Sequence, residues 1–594
     1  MTEETGSTAQ TYVLSGRSLV QGRAQGELVY AEVGLSFWGG VEPSTGEVID
    51  RHHPLSGVCL AGKVLAIPSG RGSCTGSSVM LELILNGHAP AGLLLAEPDE
   101  ILTLGVVVAE VMFGHSLPVV CLGADGFARL QDGAAARLES GQVTVFEQLP
   151  AVTWAPSDGV DSAAPKTSLH LNALDREMLD GRHGKATQVA MQLLMRIAAL
   201  QGARELVDVT QAHIDGCIYT GHASLRFARK LVEWGAQVRV PTTLNAISVD
   251  KRRWRELGVD AALGEPASAL GDAYLDMGAR VSFTCAPYLL ETAPGLGEQI
   301  VWAESNAVVY ANSVLGARTL KYPDYLDICI ALTGRAPLVG SHRDDGRKAT
   351  VRIDVCKPAG ADDAFYPLLG YHVGLLASTE IPVLCGLEQA QPSLDDLKAF
   401  GAAFATTSAA PMFHIVGVTP EASSVEQALG GLAPRRLIEV SRDALARSWA
   451  ELDSSTEVAV QLVSLGNPHF SLTECARLAQ LCAGRRKHPG TALVITLGRD
   501  VHERARAAGY VAVLEAFGAQ LVTDTCWCML GEPIVPPGTS TLMTNSGKYA
   551  HYAPGLVGRK VHFGSLQNCV QAACSGQWAG GLPAWLMTAP EAVS

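Results

Sequence analysis

The stretch PSGRGSCTGSS, Pro68 to Ser78, sits between a short apolar run, Val64-Leu65-Ala66-Ile67, and a segment from Val79 to Leu85 that predicts a helix. Asn86 and Gly87 would end that helix in a left-handed cap. A second apolar run, Leu93 to Ala96, follows directly. Strand, glycine-rich loop, helix and strand in that order bring the loop amides and the hydroxyls of Ser73, Thr75, Ser77 and Ser78 to a helix N-terminus, where negative charge is stabilised. Such a loop suits a carboxylate, a phosphate or a serine alkoxide. It is not a Walker A loop, because no Lys follows Gly76 to reach the phosphates. The spacing Gly70, Gly72, Gly76, with Glu97 as a ribose ligand, is a loose relative of the dinucleotide fingerprint. Against that reading, the helix is only about two turns long and hydroxyls stand where a nucleotide fold places small residues. A polar turn without chemistry is the plain alternative, since Ser and Gly favour turns.

The chain of 594 residues is long enough for roughly two to four domains, and 47% hydrophobic with 18% charged residues describes a well-packed globular protein. A net charge of −14 argues against nucleic acid or an anionic membrane as partner. The polar, acidic start MTEETGSTAQ and the lack of a bilayer-length apolar run place the expected location in the cytoplasm. The 14 Cys include no CxxC pair, so a disulfide framework is not expected; most are small buried hydrophobes, and a few at strand ends are candidate thiolate ligands.

Residues 1–150 read as a compact mixed α/β domain carrying the Gly/Ser loop, with an aromatic patch and the polar cluster Asp50, Arg51, His52, His53. Adjacent His residues on a strand face opposite ways, which favours a turn or ligand-edge role over a metal site. Residues 151–167, rich in Pro, Ser, Ala and Gly, form the expected linker, and 168–594 the second unit. From Leu169 helices alternate with strands, implying parallel sheets: Lys185 to Leu200 is an amphipathic helix, ELVDVT a strand, Leu225 to Trp234 a helix, and Gln237 to Val240 enters a strand. Polar residues leave strand ends repeatedly, where open α/β sheets bind ligands. Arg318 is a candidate carboxylate anchor through its planar fork, with a structural pair to Glu304 or Asp327 as the alternative. Ser471 and Glu474 make a capping box that leaves Asn467 and His469 exposed in a loop.

Taken together, GRGSCTGSS, PTTLN, TCAPYL, AESNAVVYANSVLGART, DTC, TNSGKYA and HFGSLQNCVQAA resemble the aconitase X family over nearly the whole chain. The resemblance implies a small swivelling domain closing over a large, multi-lobed α/β domain with mainly parallel sheets that holds an iron or iron–sulfur centre. It implies a hydro-lyase. Fused members with the small part first resemble cis-3-hydroxy-L-proline dehydratases, and separate archaeal subunits resemble phosphomevalonate dehydratase. Asn467, where the archaeal form is pictured with Cys, puts a four-iron cluster in question.

By the same resemblance Ser73 is the catalytic base and Cys285, Cys526 and Cys569 are the iron ligands, with Cys574, Cys528 and Cys356 in reserve. Arg318, Lys548, Thr242, Asn245, Ser305, Asn306, Asn545 and Ser546 are candidates for substrate binding. The cofactor is read as an iron–sulfur cluster of the [2Fe-2S] kind, with mononuclear iron and [4Fe-4S] left open. The expected partner is a small hydroxylated imino acid, and oligomeric state is open. A non-catalytic two-domain protein that clamps a small carboxylate is the rival, and an RNA-binding iron regulator a third reading that the acidic charge disfavours.

Overall fold

The computed structural model of the chain describes residues 11–51, 53–71, 73–148 and 169–587. The expected linker 151–167, Gly72 of the loop and His52 lie outside the described residues. Val64–Ile67 is a strand buried along its whole length, because its sheet is covered on both faces. Leu65 and Ile67 point to one core while Val64 and Ala66 point to another, as the two-residue side-chain period requires. Arg23–Tyr30, Val64–Ile67, Gly92–Leu95 and Val119–Cys121 pair in parallel at the centre of this eight-stranded sheet. Antiparallel strands close both sides: Ala135–Glu139, Gln142–Phe146 and Tyr12–Ser15 on one, Arg17–Val20 on the other.

The helix after the loop runs Gly76–Asn86, a turn longer at its start than the sequence predicts, and Gly87 ends it at φ 79°, a left-handed cap that a glycine adopts without strain. Apolar residues of this helix and of Glu100–Val108 are part of one core that continues without a break into Lys185–Leu200, His222–Glu233 and Leu326–Thr333.

The rest of the chain forms three units, each with a parallel sheet. The first pairs Ala212–Ile214 with Thr242–Leu244 and Val301–Trp302. The second orders His414–Ile415, Pro382–Cys385, Val351–Val355 and Arg436–Val440. The third orders Ala519–Val522, Ala492–Leu497, Leu462–Phe470, Thr541–Thr544 and Lys560–Phe563. Helices Lys185–Leu200 and His222–Glu233 stand where their periodicity puts them. Gln237 to Val240 is not strand: the Val238 and Arg239 amides donate to Met277 and Ala331 carbonyls, and pairing begins at Thr242. The Ser471–Glu474 capping box forms, but Asn467 and His469 are not exposed. They lie inside the strand Leu462–Phe470, which is buried from end to end. Among the described residues, no helix is long and apolar enough to cross a membrane.

Candidate active site

Parallel strands deliver their C-terminal ends to one place. Ser73 follows Val64–Ile67, Asp215 follows Ala212–Ile214, Asn245 follows Thr242–Leu244, Glu304 and Ser305 follow Val301–Trp302, and Cys526 follows Ala519–Val522. The Gly/Ser loop is pinned from below: the Gly70 amide donates to Asp99 Oδ2 at 2.5 Å, and Asp99 Oδ1 caps the helix Glu100–Val108 by accepting the Leu102 amide at 2.8 Å. Ser73 then lines a narrow cavity together with Cys526, Cys528, Lys548, Glu304 and Ser305. Trp38 and Tyr552 flank this cavity and also line a wider cleft, which opens between residues 34–71 of the first domain and the second and third units.

Lys548 comes from the first turn of Gly547–Leu556, a helix capped by Ser546, whose hydroxyl accepts the Tyr549 amide at 3.1 Å. Its ammonium donates to Glu304 Oε1 at 2.8 Å. Glu304 also accepts from Asn306 at 2.6 Å and from Asn245 at 3.0 Å, and the Asn245 amide reaches Asp215 as well. Burial presses the Glu304 carboxyl upward, but the Lys548 charge and these hydrogen bonds outweigh it and bring its pKa down to about 2. Its charge in turn holds the Lys548 ammonium above the usual lysine range against the opposing effect of burial.

Cys285, Cys526 and Cys528 form a small buried cluster with Ala246, shielded by Met529, Tyr552 and Leu556. In the turn Cys526-Trp527-Cys528 the Trp side chain is driven the other way, its indole donating to the Leu465 carbonyl at 2.8 Å. Cys528 accepts from the Asn467 amide, and Cys285 from the His469 backbone amide, each at 3.3 Å. His469 ties both cysteine loops together through Thr525 O at 2.8 Å and Thr284 Oγ1 at 3.0 Å. Burial lowers its pKa to about 4, so the imidazole is neutral. Hydrogen bonding with Cys285, followed by burial, pushes the Cys526 thiol well above its usual range, and the bond with Cys526 does the same for Cys528. Among the described residues no group of three or more His, Cys, Asp or Glu is spaced to hold a metal ion as it stands. By donor chemistry the three sulfurs fit iron or an iron–sulfur group: they are soft, share one dry pocket and have an ammonium beside them.

Several expected residues are not brought here. Cys569 lies on the inward face of Leu566–Ser575, packed with Val463 and Met543 in the core of the third unit, while Cys574 is half-buried and Cys356 exposed. Cys528 is the thiol beside Cys526, and the signal for it was the C-x-C spacing, which keeps the two in one short helical turn. Arg318 pairs with Asp344 and donates to the His342 carbonyl at 3.1 Å, so its fork is already taken. Thr242 spends its hydroxyl on Val240 O at 2.8 Å, in the segment just before its strand. Asn545 and Ser546 line a separate small pocket with Asn467, Lys398 and Glu474. His53 is a turn residue, its ring bonded to Val33 O at 3.1 Å and to the Leu55 amide at 3.2 Å. Asp215 joins the site although the sequence reading assigned it no role, and Thr75, one of the loop hydroxyls named there, contacts it at 3.5 Å.

Family models for the aconitase X swivel, first, second and third domains match residues 13–146, 168–345, 349–450 and 460–575. The chain belongs to the aconitase X family. It is 61% identical, over 97% of its own length and 99% of the relative's, to a cis-3-hydroxy-L-proline dehydratase of Pseudomonas aeruginosa. To the enzyme of that name from Hypocrea jecorina it is 52% identical, over 96% of this chain and 97% of the relative. Both relatives are dehydratases, that is, hydro-lyases. The crystal structure of Thermococcus kodakaraensis aconitase X in its holo-form superposes with a TM-score of 0.61 at 31% identity, covering 68% of this chain and all of that one.

Proposed function

We propose that the chain is a hydro-lyase that dehydrates cis-3-hydroxy-L-proline to Δ1-pyrroline-2-carboxylate. One observation carries the reading: Ser73 lines the same small cavity as two of three clustered thiols and a lysine ammonium. Near-complete alignment with dehydratases of that substrate supports it. In the substrate the 3-hydroxyl shares a ring face with the carboxylate, so the α-hydrogen lies opposite and loss of water is an anti elimination. The product enamine tautomerises to the cyclic imine. The reaction needs a base on one face and help for a poor leaving group on the other, roles we assign to Ser73 and to the group the thiols would hold.

Ser73 takes the α-hydrogen, and the Thr75 amide, donating to Ser73 Oγ at 3.2 Å, stabilises charge there as an oxyanion hole would. Lys548 and Ser305 receive the substrate carboxylate, and Glu304 receives the ring nitrogen. Cys285, Cys526 and Cys528 hold the cofactor, which we read as [2Fe-2S] iron–sulfur. When bound, such a group supplies Lewis acidity toward the leaving hydroxyl.

Anaerobically purified protein should convert cis-3-hydroxy-L-proline, and neither its trans isomer nor phosphomevalonate, to product. Ser73→Ala should lower kcat by about 10² to 10⁴ with KM little changed. Turnover of none of the three compounds by iron-loaded protein would end the reading. In parallel, iron content and absorbance near roughly 400 nm should fall in Cys285→Ser, Cys526→Ser and Cys528→Ser but persist in Cys569→Ser.

A further inference from the structure

Thr75 stands at the N-cap of the helix Gly76–Asn86, where a Thr hydroxyl ordinarily accepts an amide from the first turn, and here it makes no such bond. Its Oγ1 instead accepts the Ser73 hydroxyl at 3.0 Å and directs its own hydrogen to Asp215 Oδ2, 3.5 Å away. The hydroxyls therefore run in one direction, from the cavity to a carboxylate with no exposed surface.

Asp215 is held on every side. Asn245 donates to one of its oxygens, and its own backbone amide and that of Gly216 are fixed by Asp327 Oδ2 at 2.7 and 3.1 Å. Asp324 faces it from the other element, taking the Ser78 hydroxyl at 2.8 Å, while Asp324 Oδ1, buried, has no hydrogen-bond partner. Glu304, Cys74 and Cys217 also face it. Burial and the facing charges of Asp324, Glu304 and Asp327 raise the Asp215 carboxyl well above its usual range, which makes it a better proton acceptor than an exposed aspartate.

We propose that Thr75 and Asp215 form a relay that orients Ser73 and takes up its proton, which makes both of them positioning residues for the base. The inference rests on Ser73 being that base. As the α-hydrogen moves to Ser73 Oγ, the Ser73 hydrogen passes to Thr75 Oγ1 and the Thr75 hydrogen to the Asp215 carboxylate. The C2–H electron pair becomes the C2–C3 double bond, and the C3–O pair departs with hydroxide. The hydroxide leaves on the opposite face and takes its proton from solvent, and once product has gone the relay runs in reverse, releasing one proton to solvent through Ser73 and restoring the carboxylate. The relay thus limits the negative charge that builds on Ser73 Oγ, and the Thr75 amide stabilises what remains.

The test uses the iron-loaded full chain with cis-3-hydroxy-L-proline and its C2-deuterated form. Thr75→Val keeps the side-chain volume and removes the hydroxyl. It should lower kcat by about 30- to 300-fold, leave KM within about threefold and enlarge the deuterium isotope effect, whereas Thr75→Ser should stay within about threefold of wild type. Asp215→Asn, if folded, should match Thr75→Val with iron content unchanged. A Thr75→Val enzyme within twofold of wild type, or one slowed with an unchanged isotope effect, overturns the relay while leaving the function in place. A wild-type enzyme that is silent on the substrate overturns the function, and the relay with it.

Discussion

Glu304 has almost no water around it and is still ionised, because Lys548, Asn306 and Asn245 all donate to it. Its folded pKa of about 2 lies below the ordinary 4.5, so its stabilising contribution is fully present above about pH 4.5 and is lost as the pH falls toward 2. Removing the cation alone leaves a buried charge without a partner. Lys548→Met should therefore cost about 3–5 kcal/mol in urea unfolding at neutral pH, and Lys548→Met with Glu304→Gln distinctly less. Equal losses in the single and double variants would show that the pair is not coupled. At this scale much of the site was legible. Lys548, Ser305, Asn306 and Asn245 were marked by polar side chains among small apolar ones. Arg318 was misjudged because nothing in its own segment reveals Asp344, 26 residues further on, as its partner.

At the scale of elements, the helix behind the Gly/Ser loop does more than present Ser73. Glu82 on that helix donates no cap to its own chain segment. Its carboxylate accepts the Ala223 amide at 2.6 Å and so caps His222–Glu233 in the first unit, whose N-cap residue Gly221 has no side chain to do it. A Cβ at 221 would lie 2.2 Å from Glu82 Cδ, so a larger residue there would push the capping carboxylate away. Glu82→Ala should cost about 0.5–2 kcal/mol, read as a lowered Tm with kcat affected little. An unchanged Tm would mean that water replaces the cap without loss. The strand Leu462–Phe470 makes the opposite point. Its Gly-Asn-Pro-His segment has the composition of a turn, and the ladder does break there: the neighbours pair Leu462 to Leu465 and then Phe470, with a register shift between, while tertiary packing buries the irregular stretch.

For the molecule as a whole, the swivel-type domain and the first unit share one continuous apolar core, from Val20 to Ala336. Lys230 adds a bond to the Met112 carbonyl at 2.7 Å and Arg196 an ion pair to Glu110 at 2.6 Å across the same junction. Two bodies that bury their faces in one core open together. In hydrogen exchange on the intact protein, the amides of Gly76–Asn86 and His222–Glu233 should exchange at a common slow rate. Faster exchange confined to Gly76–Asn86 would instead make the swivel domain an independent unit. The side of the cleft free to open is then the one against the second and third units, where Trp38 and Arg71 face Thr406 and Tyr552.

The sequence by itself determined the architecture's alphabet: the strand–loop–helix around Ser73, the amphipathic helices, the capping boxes and the family likeness. Each of these is written in contiguous residues through periodicity, turn chemistry or motif. Only the tertiary structure decided which cysteines meet, which carboxylates surround Asp215, and that Asn467 and His469 are buried. Cys285 and Cys526 are 241 positions apart, Thr75 and Asp215 140. Their meeting depends on how parallel sheets from separate units aim their strand ends at one cavity, and no local pattern records that aim.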